Sequence, residues 1–120
     1  MCTGAIVLGA AGLLNGLTAT THWACYPELE AQGAIPTADR VVEHLDRRII
    51  TAAGVSSGID MALRLVELVV DRTAAEAAQL MIEYDPQPPF ACGSLAKTNA
   101  TADGGSAVMH RVIEYAQLRQ

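Results

Sequence analysis

Met1-Cys2-Thr3-Gly4-Ala5-Ile6-Val7-Leu8-Gly9-Ala10-Ala11-Gly12-Leu13-Leu14 sets a cysteine directly ahead of a charge-free helical run. A thiol at the first turn of a helix faces the positive end of the macrodipole, which favours the thiolate, the nucleophilic form. Gly4 allows close backbone approach at a tight turn. Thr3 brings a hydroxyl and a backbone N–H beside the sulfur, where a covalent mechanism must hold developing negative charge. The competing reading of Cys2 is a small buried hydrophobe, a common fate of a free cysteine. Such a nucleophile is ordinarily delivered by a buried strand through a sharp turn. Only Met1 precedes it here, so the supporting half of the site is expected to be missing from this chain.

Outward from that stretch, the pattern alternates helices with short β-branched strands. The run 4–14 is apolar all round, which predicts a helix buried on most of its surface, stopped by Asn15-Gly16. Residues 17–21 read as a short strand, and 24–32 as a brief helix ending at Gly33. Residues 40–44 and 48–51 read as two strands of a hairpin turning at Leu45-Asp46-Arg47. Ser57-Gly58-Ile59-Asp60 looks like a capping box opening a helix to about Asp71, with Ile59, Ala62, Leu63, Val66, Val69 and Val70 on its buried face. Thr73-Ala74-Ala75-Glu76 looks like a second, opening a helix to Tyr84 whose face is Ala77, Leu80, Met81 and Tyr84. Residues 85–104 read as an extended surface loop rich in Pro, Gly, Asn, Asp and Thr. A terminal helix over 105–119 is capped by Ser106, with Met109, Val112, Ile113 and Ala116 on one face. The alternation predicts an α/β layer architecture, with 1–120 forming part of a single domain.

The composition narrows the function. A chain of 120 residues is long enough for one domain with a real core. A net charge of −5 and scattered basic residues argue against a nucleic-acid partner. The first 27 residues carry no Asp, Glu, Lys or Arg, yet they lack the basic start of a secretory signal. Their apolar run breaks at Asn15-Gly16 and again at Thr18, Thr20 and Thr21, short of a membrane span, so no membrane partner is expected. Three widely spaced cysteines, Cys2, Cys25 and Cys92, with no CxxC, form neither a disulfide framework nor a metal site. They fit a reducing cytoplasm.

Cys2-Thr3-Gly4, the helix end Ala10-Ala11-Gly12-Leu13-Leu14, Ala19-Thr20-Thr21-His22-Trp23, the segment Thr51 to Asp60 and the segment Glu83-Tyr84-Asp85-Pro86-Gln87-Pro88-Pro89-Phe90 together resemble the ThiJ/PfpI superfamily. Within it they are most similar to isocyanide hydratases. The resemblance weakens after Thr98. It implies the C-terminal portion of a flavodoxin-like three-layer sandwich, of the class I glutamine amidotransferase-like kind. It also implies that Cys2 sits on a nucleophile elbow and attacks the terminal carbon of an isocyanide. A carboxylic acid then assists protonation, and water releases an N-substituted formamide with no metal or organic cofactor. The family's acid belongs to an N-terminal half without counterpart in this chain, so a homodimer or association with that half is expected.

The remaining candidates each carry two readings. His22 could orient or deprotonate the thiol, as in other cysteine enzymes, or be a strand-end histidine satisfied by hydrogen bonds. Trp23 could line an apolar pocket or pack in the core. Gly54-Val55 precedes the capped helix, and in the resembling family this loop lies close to the cysteine, where its carbonyl can accept from the thiol. Gly54 either supplies a positive φ or a close approach, or makes a plain strand-to-helix turn. Asp60 reads as a cap, Glu83 as a surface residue, and Cys25 and Cys92 as structural. Two other functions compete: a non-catalytic sensor domain of an AraC-type transcriptional regulator, and a glyoxalase, deglycase or amidase on the same scaffold.

Overall fold

The structure, a computed structural model, describes residues 1–118. They form two compact units, Met1–Tyr84 and Asp85 onward. The first is α/β. It contains α1 (Gly4–Ala10), β1 (Thr18–Ala19), α2 (Tyr26–Ala31), β2 (Ile35–Pro36), β3 (Val41–His44), β4 (Ile49–Ala52), α3 (Val55–Val69) and α4 (Arg72–Met81). Strands β1 and β2 pair in parallel, with Thr18 opposite Ile35 and Ala19 opposite Pro36, and α2 provides the crossover between them. Strands β3 and β4 form the expected antiparallel hairpin, with Val41 opposite Ala52 and His44 opposite Ile49. Its turn, Leu45–Arg47, closes through Arg48 in the left-handed region at φ 55°.

Helix α1 ends four residues before Leu14. Gly12 takes φ +75°, the Leu13 N–H donates to Leu8 O at 3.0 Å, and the Gly12 N–H donates to Gly9 O at 2.7 Å. These are the two closing bonds of a Schellman motif, so Gly12 rather than Asn15-Gly16 stops the helix. Burial also departs from expectation. Ala5 and Gly9 are buried, one turn apart on one face, whereas Val7 is 69% exposed. An apolar sequence alone does not bury a helix; among the described residues only the face bearing Ala5 and Gly9 is fully covered. Gly9 makes the approach to α2 possible, because a Cβ there would lie 2.6 Å from Gln32 Cβ at the end of α2.

The buried cluster is Ala5, Leu14, Ala19, Leu29 and Ala34, with Leu8 and Ile49 packed against it. It contains no aromatic ring. Hydroxyl-bearing side chains are buried too: Thr20, Thr21, Thr51 and Ser57. Two bonds from side chains stitch the separate strand pairs together. The buried Thr20 N–H donates to Thr51 Oγ1 at 3.1 Å, and His44 Nε2 donates to Thr18 O at 2.8 Å.

Both expected capping boxes are corrected. Helix α3 starts two residues earlier than Ser57, with Gly54 as its N-cap, and Ser57 is buried inside the first turn. Asp60 is not a cap. It accepts from Arg40 Nε at 2.8 Å and from the Tyr84 hydroxyl at 2.7 Å, tying α3 to residues 20 and 24 positions away. On α4 the cap is Asp71, whose side chain accepts from the Ala74 N–H at 2.8 Å, not Thr73. The buried residue of α4 is Ala75, while Leu80 and Met81 stand 81% and 87% exposed. On α3, Ile59, Leu63 and Val66 are half-buried but Ala62, Val69 and Val70 are exposed.

The second unit contains α5 (Leu95–Asn99), inside the stretch expected to be extended, and α6 (Ser106–Gln117). The terminal helix expected over 105–119 therefore forms, although Arg119 lies outside the described residues. Its start is held by Asp103 rather than Ser106, because the carboxylate accepts from the N–H groups of Gly105 and Ala107, both at 3.1 Å. Those bonds, the Ala107 N–H foremost and with the Thr101 hydroxyl, hold Asp103 below the ordinary aspartate range. No helix among the described residues is long and apolar enough to cross a membrane.

Gly9→Ala isolates the α1–α2 approach. Replacing a mid-helix glycine gains about 0.5–1 kcal/mol of helix propensity, but displacing Gln32 at its Cβ costs about 1–3 kcal/mol. We expect a net loss of about 1 kcal/mol, read as a melting temperature lower by about 5 °C in scanning calorimetry. Asp60 yields a pH signature. Burial works against its charged form, yet the bonds from Tyr84 and Arg40 and the guanidinium charge hold its carboxyl below the usual aspartate value. A depressed carboxyl stabilises fully above its ordinary range, and that contribution disappears as pH falls through the depressed folded value. Thermal melts from about pH 6 to about pH 2 should therefore show Asp60→Asn losing less stability on acidification than the parent.

Candidate active site

Cys2 is half-buried, with φ +49°. A non-glycine residue in the left-handed region carries about 1–2 kcal/mol of steric cost, so the surroundings must hold it there. Two bonds do. The Cys2 N–H donates to Ala53 O at 2.7 Å, and the Thr21 hydroxyl donates to Cys2 O at 2.6 Å. The first comes from the β4–α3 junction and the second from the residues just after β1. A left-handed residue leading into a helix is one feature that a nucleophile elbow requires. Met1 packs over α3, where a Cβ on Gly58 would fall 2.6 Å from Met1 Cγ.

The other candidates fall at varying distance from this role. Thr3 is exposed, at φ −69°, and is the N-cap residue of α1, so its backbone leads directly from the thiol-bearing residue into the helix. Gly4 opens the helix, and a side chain there would meet nothing within 4 Å, so no close approach depends on it. The loop bearing Gly54 and Val55 does lie beside Cys2, through the Ala53 carbonyl. Gly54 itself has φ −71°, hence no left-handed requirement, and Val55 is 72% exposed.

His22 and Gly54 are neighbours, since a Cβ on Gly54 would sit 3.8 Å from His22 Cδ2. His22 Nδ1 accepts from the Ala24 N–H at 3.3 Å, capping the short turn Trp23–Cys25. A ring nitrogen that accepts there is not free to take a proton from the thiol, which leaves only Nε2. The Trp23 ring is tilted 34° against His22, with centroids 5.2 Å apart, and is half-buried.

Three participants escaped the sequence reading. The Ala53 carbonyl and the Thr21 hydroxyl grip Cys2, and Cys25 lies close enough to feel it. Burial foremost, then the Glu28 carboxylate, push the Cys25 thiol up, with a smaller contribution from its neighbour Cys2. The signal available for Thr21 was a β-branched pair, Thr20-Thr21, just where a strand ended. It identified a strand but not the donor. Among the described residues, no group of three or more His, Cys, Asp and Glu side chains is placed to hold a metal ion.

A sequence profile of the DJ-1/PfpI family matches residues 1–68. The chain is 51% identical over 94 residues to an isonitrile hydratase of Pseudomonas putida, covering 78% of this chain and 40% of that protein. It is 31% identical over 86 residues to the HTH-type transcriptional regulator GbdR of Pseudomonas aeruginosa, covering 71% of this chain and 23% of the regulator. Among solved structures, a THiJ/PfpI family protein from Pseudomonas syringae superposes with a TM-score of 0.79 at 48% identity, covering 97% of this chain and 46% of that one. These matches bear out the flavodoxin-like α/β class. The chain spans less than half the length of these relatives.

The thiol environments generate a direct prediction. Burial and neighbouring charge push the Cys25 thiol up, while Cys2 sits in a strained turn at the start of a helix. Limited iodoacetamide treatment near neutral pH, followed by peptide mass spectrometry, should label Cys2 ahead of Cys25. Preferential labelling of Cys25 would contradict the assignment.

Proposed function

The chain belongs to the DJ-1/PfpI family as an isocyanide hydratase-like member, and on that premise we propose that Cys2 is the nucleophile for hydrating an isocyanide to an N-substituted formamide. The observation that carries this reading is the left-handed Cys2 backbone gripped at both of its polar groups. The Cys2 sulfur forms a bond to the terminal carbon of the isocyanide while that carbon takes a proton, giving a thioimidate. Water then adds across the carbon–nitrogen double bond. The carbon–sulfur bond breaks, the thiol is regenerated, and the formamide leaves. The proposal gives the Thr3 N–H and hydroxyl, next in the chain, the developing charge to hold. It assigns Gly54, Val55, His22 and Trp23 to the surroundings of the nucleophile, with Trp23 and Val55 as apolar surface for the substrate's organic group.

The chain corresponds to 40% of the P. putida enzyme. In the resembling family the acid comes from the N-terminal half, so the proposal gives the 120 residues the nucleophile side and assigns the proton donor to an N-terminal segment of that kind. A reducing cytoplasm, where a free thiol persists, is the proposed setting. The likeness to GbdR favours a second reading, a sensor domain that binds a small molecule without turning it over. The two differ in whether Cys2 is needed.

A positioned general acid contributes about 10²–10⁴-fold. The 120-residue chain alone is therefore expected to form negligible formamide from an alkyl isocyanide. Joined to an N-terminal half of the family's kind that bears the acid, it should turn over, and Cys2→Ala should abolish that turnover. Formamide release followed by chromatography checks both. Full activity of the chain alone, or of the Cys2→Ala fusion, would overturn the proposal, whereas tight isocyanide binding indifferent to Cys2→Ala would point to the sensor.

A further inference from the structure

We infer that Thr21 is a positioning residue for the Cys2 nucleophile, its buried hydroxyl holding the elbow in the left-handed conformation that presents the thiol; this rests on the reading of Cys2 as the reactive group. Thr21 is fully buried, and its Oγ1 donates to the carbonyl of Cys2 itself, the one residue of the turn with a strained backbone. That residue's N–H is taken by Ala53 O. The φ of Cys2 is thus set between two fixed points, one on either side of its Cα. The two points are themselves tied. Thr20, next to Thr21, donates its N–H to Thr51 Oγ1, and Thr51 lies two residues before Ala53 on the strand that leads to it. Neither jaw of the clamp can move far without breaking this bond.

The neighbouring threonine supplies an internal contrast. Thr20 is equally buried, but its hydroxyl has no partner among the described residues. Two adjacent β-branched side chains thus share burial and shape and differ in one respect: only Thr21 donates to the elbow. Removing the Thr20 hydroxyl by Thr20→Val deletes an unsatisfied polar group and leaves the N–H bond to Thr51 in place. Thr21→Val has the same size and shape change but leaves the Cys2 carbonyl without its donor, freeing the turn to relax toward ordinary φ. Thr21→Ser keeps the donor and loses only a methyl group.

Iodoacetamide labelling rates at Cys2, Cys25 and Cys92 are measured in the full chain and in these three variants, with Cys25 and Cys92 as internal references. Thr21→Val is expected to slow Cys2 relative to Cys92 by about three- to tenfold, the equilibrium weight of one hydrogen bond. Thr21→Ser should restore most of the rate, and Thr20→Val should match the parent. Lost packing in the first unit would change Cys2 and Cys25 together, with Cys92 in the second unit as the unaffected reference. That pattern, an unchanged or faster Cys2 in Thr21→Val, or no rescue by serine, overturns the inference. If Cys2 in the parent chain reacts no faster than Cys25 and Cys92, it is the nucleophile reading that fails, and Thr21's role falls with it. If Cys2 is fast in the parent and indifferent to Thr21→Val, only the role of Thr21 is lost.

Discussion

A backbone held at φ +49° on a residue that carries a side chain is the constraint on which the first unit turns. Such a conformation survives only where the surroundings over-determine it, and here they do so from two strands that are not paired with each other. The parallel pair delivers Thr21, and the hairpin delivers Ala53. Each reaches Cys2 from a different side, so the elbow works as the keystone between them. The Thr20–Thr51 and His44–Thr18 bonds then do what a continuous sheet would do in a larger protein, keeping the strand ends in register through side chains.

Around that keystone the packing is built from small groups. Ala5, Ala19 and Ala34 accompany only two leucines in the buried cluster, and α1 reaches α2 because Gly9 has no side chain to keep Gln32 away. Small residues permit close approach but bury little hydrocarbon, so the unit relies on directed polar bonds to fix its arrangement. Asp60 illustrates this. Its carboxylate joins a hairpin-flanking arginine to a tyrosine beyond α4, drawing three segments together at one charge. Arg64 does the same on the neighbouring turn of α3, bonding to Glu43 on β3 and to Glu67 on its own helix. Because these groups are half-exposed, their value lies in geometry more than in energy.

The α/β class, the hairpin at Leu45–Arg47, the helix ending at Gly33 and the placement of a cysteine at a helix start were legible because each depends on residues within a few positions of one another. The misread features depend on partners far along the chain. Ser57 and Thr73 sit in sequences that look like capping boxes, but Asp60 is drawn away to Arg40 and Tyr84, and Asp71 offers a better-placed carboxylate two residues ahead of Thr73. Strand β2 escaped because Ile35–Pro36 has no alternation to read and becomes a strand only by lying beside Thr18 and Ala19. The apolar circumference of α1 promised burial on all sides, yet burial belongs to whichever neighbour arrives, and composition does not name the neighbour. At the site, Cys2 was visible as a reactive type in a suggestive place. The hydroxyl and carbonyl that hold it came from 19 and 51 residues away.

The buried hydroxyls bear on how the protein responds to temperature. Thr20, Thr21, Thr51 and Ser57 occupy interior positions that hydrocarbon fills in most cores. Exposing apolar surface raises the heat capacity of the unfolded chain, while exposing polar surface lowers it. A core divided between alanine methyls and hydroxyl groups therefore unfolds with a smaller heat-capacity increment per residue than a leucine-rich core. A smaller increment of that kind flattens the stability curve, so the unit is expected to lose stability slowly toward both heat and cold.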